Sequence, residues 1–344
     1  MTGSLVVRDG DLDADRQLAL HSFARHLNPH YDDARFDWVY RQNPHGQGRL
    51  WIAANPGGVV GIAGAFPRRM SVAGREQHAW VLGDFCVGDG HRSLGPALAL
   101  QRACLAAVTA DGAKFCYDFP SPGMMAVYRR LGIKPLGRMI RYVRPLGVES
   151  HLRRLVGSTI VTQPLSALAR TVLAPPRRRP ASVSGVEISL EDKPFGDEFT
   201  DLYQRCAAEQ GVMVARSAEY LNWRYRANPL YRHEVLTARE RGRLVGYAIF
   251  IENSPVMTLV DMMAGETDAV VEALIRSALA LAWQRRLDAV CFSVLESSTW
   301  ITDLKSAGFR EREPSPVVVY MSSGVCPTVG DERAWHLLLG DRDS

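Results

Sequence analysis

The sequence predicts a mixed α/β protein made of two tandem copies of one domain, each a twisted mixed β-sheet flanked by helices. Three observations carry this expectation. The chain has 344 residues, long for one compact core and comfortable for two. Four short blocks recur in the same order in its two halves. Within each half, paired apolar runs come first and alternating strand and helix patterns come later, as in a sheet that is antiparallel at one end and strand-helix-strand at the other.

The repeat is specific. Residues 38–44 read Trp-Val-Tyr-Arg-Gln-Asn-Pro and residues 223–229 read Trp-Arg-Tyr-Arg-Ala-Asn-Pro, five of seven agreeing at an offset of 223 − 38 = 185. The same offset aligns Val59-Val60-Gly61 with Leu244-Val245-Gly246. Val81-Leu82-Gly83-Asp84 then meets Thr258-Leu259-Val260-Asp261 at 261 − 84 = 177, and Leu131-Gly132-Ile133 meets Ala307-Gly308-Phe309 at 307 − 131 = 176. Collinear blocks with a slowly drifting offset indicate duplication. The expected division is a first domain over 1–145, a helical and Arg/Pro-rich linker over 146–185, a second domain over 186–322 and a tail over 323–344.

Each element follows in turn. An amphipathic helix opens each copy and leads into the Trp-x-Tyr-Arg-x-Asn-Pro segment. Strands are expected over 50–54 and 59–66, joined at Gly57-Gly58, and over 234–239 and 244–251, joined at Arg241-Gly242. A strand ending near an aspartate comes next, then a long helix. In the second copy Val271, Leu274, Ile275, Ala278, Leu281 and Ala282 fall on one face of it. Strands over 114–117 and 289–294 precede short helices that stop at Gly132 and Gly308. The linker reads as a helix over 151–173 followed by a stiff Pro/Arg run, and residues 333–341 read as an apolar segment packing back onto a sheet edge.

Composition excludes several classes. The net charge of +4 is mild and partly concentrated in Arg177-Arg178-Arg179, which does not describe a nucleic-acid surface. Cys86, Cys104, Cys116, Cys206, Cys291 and Cys326 stand singly, so neither a metal site nor a disulfide framework is expected. The first 15 residues lack a basic start followed by an apolar run, and no stretch approaches the roughly 18 apolar residues of a membrane span. A cytoplasmic protein without integral membrane association is the expectation.

The chemistry should sit between residues 81 and 108. An apolar strand over 81–87 runs into Gly88-Asp89-Gly90-His91, then Arg92-Ser93-Leu94-Gly95-Pro96-Ala97 and a helix. A glycine-containing turn feeding a helix start presents unpaired N–H groups where the helix dipole is positive, which suits a pyrophosphate. Gly95 permits close approach of the backbone, and Pro96 is tolerated in a first turn.

Arg92-x-x-Gly95-x-Ala97 resembles the Arg/Gln-x-x-Gly-x-Gly/Ala signature of the GNAT superfamily of acyltransferases. The resemblance implies that Phe85, Cys86 and Val87 contact the pantetheine arm of an acyl-coenzyme A, and that Arg92, Ser93, Leu94, Gly95, Pro96 and Ala97 hold its pyrophosphate. Acetyl-CoA is the leading donor, with another acyl-CoA open. The segment Ala126 to Ile133 resembles the GNAT pattern Ala-x-x-Tyr-x-x-x-Gly-Phe with a small change of spacing. By that resemblance Tyr128 would protonate the departing thiolate, the alternative being an aromatic that only packs over the cofactor. Asp84 is the candidate base. Its counterpart Asp261 keeps a structural role open, and Asp118 and His91 are further candidates.

The second copy keeps the frame and loses these marks. Its loop reads Asp261-Met-Met-Ala-Gly265-Glu266-Thr267-Asp268, whose carboxylates would repel phosphate and whose Thr267 or Asp268 suits a helix N-cap. At the offset of 176, Leu304 replaces Tyr128. The Trp-x-Tyr-Arg-x-Asn-Pro segments persist in both copies, which favours a structural corner over an acceptor-site role. The expected function is direct transfer of an acyl group from acyl-CoA to the amine of a small molecule or peptide, by a monomer or homodimer. Two other readings stand beside it: a transferase similar to the tandem Fem-type ligases, using aminoacyl-tRNA, and an acyl-CoA-binding sensor without turnover.

Overall fold

The duplicated blocks fold into duplicated elements. A computed structural model describes residues 4–91, 93–110, 112–147, 185–209, 211–265, 268–322 and 324–342. The predicted linker helix and its Pro/Arg run lie outside these residues. The first half runs β1 (Val6–Gly10), α1 (Arg16–His26), α2 (Asp33–Phe36), β2 (Arg49–Asn55), β3 (Gly58–Val72), β4 (Arg75–Val87), α3 (Leu94–Ala110), β5 (Phe115–Asp118), α4 (Pro122–Arg130) and β6 (Pro135–Pro145). The second runs β7 (Val186–Glu191), α5 (Asp197–Glu209), β8 (Val212–Val214), α6 (Ala218–Leu221), β9 (His233–Glu240), β10 (Arg243–Asn253), β11 (Val256–Ala264), α7 (Asp268–Gln284), β12 (Ala289–Leu295), α8 (Ile301–Ser306) and β13 (Arg310–Met321). Apart from β8 the order is the same. A last short strand, β14 (Trp335–His336), follows in the C-terminal segment.

Local sequence explains the boundaries. The expected hairpins form, with Gly58 and Gly242 at φ +119° and +81° in the turns. Gly132 and Gly308 end α4 and α8 at φ +76° and +84°, a region an L side chain rarely adopts. Ser121 caps α4 by accepting from the Met124 N–H, with Pro122 at its first position. Of the apolar face predicted on α7, Val271, Leu274, Ile275, Ala278 and Ala282 are buried and Leu281 is half-buried. α3 covers the first half's sheet with Leu100, Cys104, Leu105 and Val108 in the same way.

The fourteen strands of the described residues belong to one sheet, whose main path is β1-β2-β3-β4-β5-β13-β6-β12-β11-β10-β9-β7. The pairs β4/β5 and β11/β12 are parallel, and the other pairs on this path are antiparallel. The two halves have exchanged their last strands. β13 lies against β5 of the first half, and β6 lies against β12 of the second, with β6 and β13 paired at the centre. The order therefore reads the same from either edge, as an internal two-fold requires.

That two-fold is visible in one residue pair. Trp38 and Trp223, the first residues of the repeated segments, stack with ring centroids 5.0 Å apart. Each indole N–H donates to the other residue's carbonyl at 2.9 Å. This is the self-complementary contact of a symmetric dimer, made within one chain. Among the described residues no helix is long and apolar enough to cross a membrane.

Replacing Trp223 by Ala should cost about 3–5 kcal/mol, since it removes a large buried side chain and leaves the Trp38 carbonyl without its donor. Urea denaturation measures this. The Trp38→Ala/Trp223→Ala double variant should lose clearly less than the sum of the single losses, because the two side chains act on each other.

Candidate functional site

β4 and β5 pair only through Ala79↔Phe115, Trp80↔Cys116 and Val81↔Tyr117. β4 continues to Val87 and β5 to Asp118, so the strands part after Val81. Opposite β3 the β4 ladder slips, with Ile62↔Cys86 followed by Gly64↔Gly83, so two residues of β4 face one of β3. Asp84 occupies this bulge at φ +45°. The bulge interrupts the regular β3/β4 ladder beside the parting strands.

Side chains alternate across the bulge. Phe85 and Val87 pack with Ala97, Met124 and Tyr128, on the side of α3 and α4. Cys86 faces the opposite core, where burial pushes its thiol up to about 12 and so keeps it protonated. Gly61 sits against the Cys86 carbonyl, which an added Cβ would approach to 2.6 Å. The turn after β4 is short: Asp89–His91 form one 3₁₀ turn, and α3 starts at Leu94. Arg92 lies outside the described residues. Ser93, Leu94 and Gly95 are exposed, Pro96 is half-buried and Ala97 is buried. A Cβ at Gly95 would meet nothing within 4 Å, so the start of this 17-residue helix is open.

Tyr128 is fully buried. Its hydroxyl donates to Asp118 Oδ2 at 2.6 Å and accepts from Gln101 Nε2 at 3.2 Å. Burial, reinforced by Asp118, raises its pKa well above the usual phenol value, so it stays protonated. Asp84 is buried on the other side of β4. Its Oδ2 accepts from the Tyr31 hydroxyl at 2.5 Å and the Tyr40 hydroxyl at 3.0 Å. Arg35 holds both carboxylate oxygens at 3.1 and 3.2 Å. Tyr40 reaches the carboxylate across Gly64, where a Cβ would collide with the Tyr40 hydroxyl oxygen. His91 is exposed on the turn.

The second half builds the same frame around Asp261. Tyr225, the counterpart of Tyr40, donates to Asp261 Oδ2 at 2.7 Å, and Arg216 Nε lies 3.1 Å from both carboxylate oxygens. At the repeat offset of 185, Arg216 matches Tyr31 and Tyr220 matches Arg35. The arginine that holds the aspartate has thus moved by one helical turn between copies. Sequence reasoning did not find Arg35, Tyr31 or Gln101, although the Tyr/Arg exchange between positions 31 and 35 and positions 216 and 220 could have pointed to the first two.

The clefts themselves differ. β11 and β12 pair from Val256↔Ala289 to Leu259↔Phe292 and then part, as β4 and β5 do. Here the C-terminal segment enters. Leu338 bridges to Val294 of β12, and the turn Leu339–Asp341 packs on both β11 and β12. Gly340 lies against the Tyr225 hydroxyl and the Val260 carbonyl, with no room for a side chain. Both Asp341 carboxylate oxygens accept from Arg216 at 2.9 Å, and the Asp341 carbonyl accepts from Tyr117 of β5 at 3.1 Å. β14 does join a sheet edge, pairing with β8, but the segment beyond it fills the second cleft. Leu304, at the Tyr128 position, is a core residue. Glu266 and Thr267 lie outside the described residues.

Asp84→Asn should destabilise the protein by about 3–5 kcal/mol, because it leaves the buried Arg35 guanidinium without its counter-charge. Denaturant titration checks this. The Arg35→Met/Asp84→Leu double variant, which removes both charges, should recover much of the loss.

The comparisons with known proteins agree with this architecture. Residues 7–136 match the family described as Acetyltransferase (GNAT) domain. A GCN5-related N-acetyltransferase from Anabaena variabilis superposes with a TM-score of 0.64 at 12% identity, covering 92% of this chain and 73% of that one. A probable N-acyltransferase from Enterococcus faecalis gives the same figures. The N-myristoyltransferase of Saccharomyces cerevisiae, solved with myristoyl-CoA bound, gives 0.61 at 14% identity and covers 93% of this chain and 83% of that one. A search of curated proteins returns no match. At these identities the likeness is one of fold. The first half carries a GNAT acetyltransferase domain match, and over 92% of its length the chain shares the fold of a GCN5-related N-acetyltransferase.

Proposed function

We propose that the chain is an N-acyltransferase that moves an acyl group from acetyl-CoA, or another acyl-CoA, directly to an amine. In this reading the donor binds in the first unit, residues 1–145. The second unit, residues 186–322, completes the sheet and shapes the acceptor side. The observation that supports it best is the contrast between the clefts. The gap between β4 and β5 leads to an exposed turn and an open helix start, whereas the matching gap between β11 and β12 is filled by residues 338–341.

The residues present fit such a donor. The first N–H groups of α3, with Gly95 bare of neighbours, suit a pyrophosphate, and Ser93 directly precedes them. Backbone of β4 beyond Val81, where its pairing with β5 ends, can bind the amide-rich pantetheine arm, with Phe85 and Val87 beneath it. Bound acyl-CoA would supply the activated acyl group. Tyr128, which burial keeps protonated, acts in this reading as the donor to sulfur as negative charge develops there, turning its one hydroxyl proton away from Asp118 to do so. Asp84 has its carboxylate shared among Arg35, Tyr31 and Tyr40, and acts in this reading by fixing the bulge.

Calorimetric titration of acetyl-CoA should show one site, and Gly95→Glu should weaken binding at least about tenfold by placing a carboxylate among the phosphate-binding N–H groups. Tyr128→Phe should keep donor affinity while lowering turnover by about 10²-fold, as expected for loss of a proton donor. Binding that is indifferent to Gly95→Glu would reject the donor site.

A further inference from the structure

Apart from the donor cleft, a cavity of about 470 Å³ opens beside α4, where the two halves and the C-terminal segment meet. Much of its wall is apolar: Met125 of α4, Pro135 and Leu136 at the start of β6, and Pro314 and Pro316 of β13. Two of its charged groups answer each other. Arg138 donates through Nε to Glu296 Oε1 and Oε2 at 3.0 and 2.9 Å and through Nη2 to Oε2 at 2.5 Å.

Glu332 is in a different state. Its Oε1 is buried and has no hydrogen-bond partner among the described residues. The carboxyl lies directly over Gly137, where any Cβ would collide with it. Burial, with Glu296 nearby, raises its pKa above the usual carboxylate range, although Ser297 hydrogen-bonds to the carboxyl group and Arg138 lies near enough to oppose the shift. The chain around it is fixed: the Glu332 carbonyl accepts from Ser297 Oγ at 3.3 Å, and the Trp335 indole donates to the Val329 carbonyl at 2.9 Å. A carboxylate oxygen held without a donor inside a cavity costs stability unless a ligand supplies that donor.

We propose that this cavity is the acceptor subsite and takes a small primary amine with an apolar body, its ammonium group paired with Glu332. The proposal rests on the reading of the first half as an acyltransferase. One helix links the two places, since α4 presents Met125 to the cavity and Tyr128 to the α3 side. The C-terminal segment that fills the second half's cleft thereby also delivers a carboxylate to the first half. A neutral alcohol of the same shape can donate a hydrogen bond to Glu332 Oε1 but brings no charge to it, so the site discriminates by charge as well as by fit.

The test uses the full chain with coenzyme A present, 2-phenylethylammonium chloride as probe and 2-phenylethanol as neutral control. Ligand-observed NMR titration gives their affinities for the wild type and for Glu332→Gln, and calorimetry gives the coenzyme A affinity of both. The expected result is an amine preference of at least about tenfold in the wild type that falls to near parity in Glu332→Gln. Coenzyme A affinity should stay unchanged. Absence of amine binding in the wild type, or a preference that survives in Glu332→Gln, overturns the proposal. Coenzyme A failing to bind either protein would instead sink the acyltransferase reading itself.

Discussion

Each half of this sheet is closed by the last strand of the other, and the rest of the molecule depends on that exchange. β13 supplies the neighbour of β5, and β6 supplies the neighbour of β12. Without its partner, either half would end in an unpaired edge at the place where its parallel strands part. The central β6/β13 pair thus fixes both clefts at once, and the reciprocal Trp38/Trp223 contact holds the same symmetry in the core. The repeated Trp-x-Tyr-Arg segment is a structural corner, as its presence in both copies suggested. Its tryptophan marks the two-fold and its tyrosine steadies the cleft aspartate.

On this symmetric frame the chain builds two unequal clefts. Both keep an aspartate bound by a tyrosine from the repeated segment and by an arginine. In the first half, Gly64 makes room for the Tyr40 hydroxyl. In the second, the room beside Tyr225 is taken by Gly340 of the C-terminal segment, and Asp341 shares Arg216 with Asp261. A buried arginine between two carboxylates is favourable only while all three stay in place. The segment is therefore bound by charge as well as by packing. The same residues reach Tyr117 of the first half, so filling the second cleft also ties the halves together.

Much of this was legible in the sequence because it is local. Hairpin turns announce themselves by glycine, and the α7 face by its 3.6-residue spacing, so the strands at 50–54 and 234–239 and the buried stripe from Val271 to Ala282 were found within a residue or two. The repeated order of elements was legible because Trp38, Tyr40, Arg41, Asn43 and Pro44 recur at a constant offset. The exchange of β6 and β13 was not. Both read as ordinary strands, and which neighbour a strand takes is decided by tertiary geometry that periodicity does not record. Arg35 was missed because its partner Asp84 is 49 residues away and its counterpart in the second copy has moved by one turn. The C-terminal segment showed its apolar character in Trp335, Leu337 and Leu338, but not the cleft it enters.

The central claim is that one cleft is open to the donor while its twin is occupied by the chain itself. A crystal structure of the protein grown with coenzyme A tests it directly. The account predicts pyrophosphate density at the start of α3, pantetheine between β4 and β5, and residues 338–341 still seated between β11 and β12. Coenzyme A found between β11 and β12 with that segment displaced, or absent from the first cleft at saturating concentration, would contradict it.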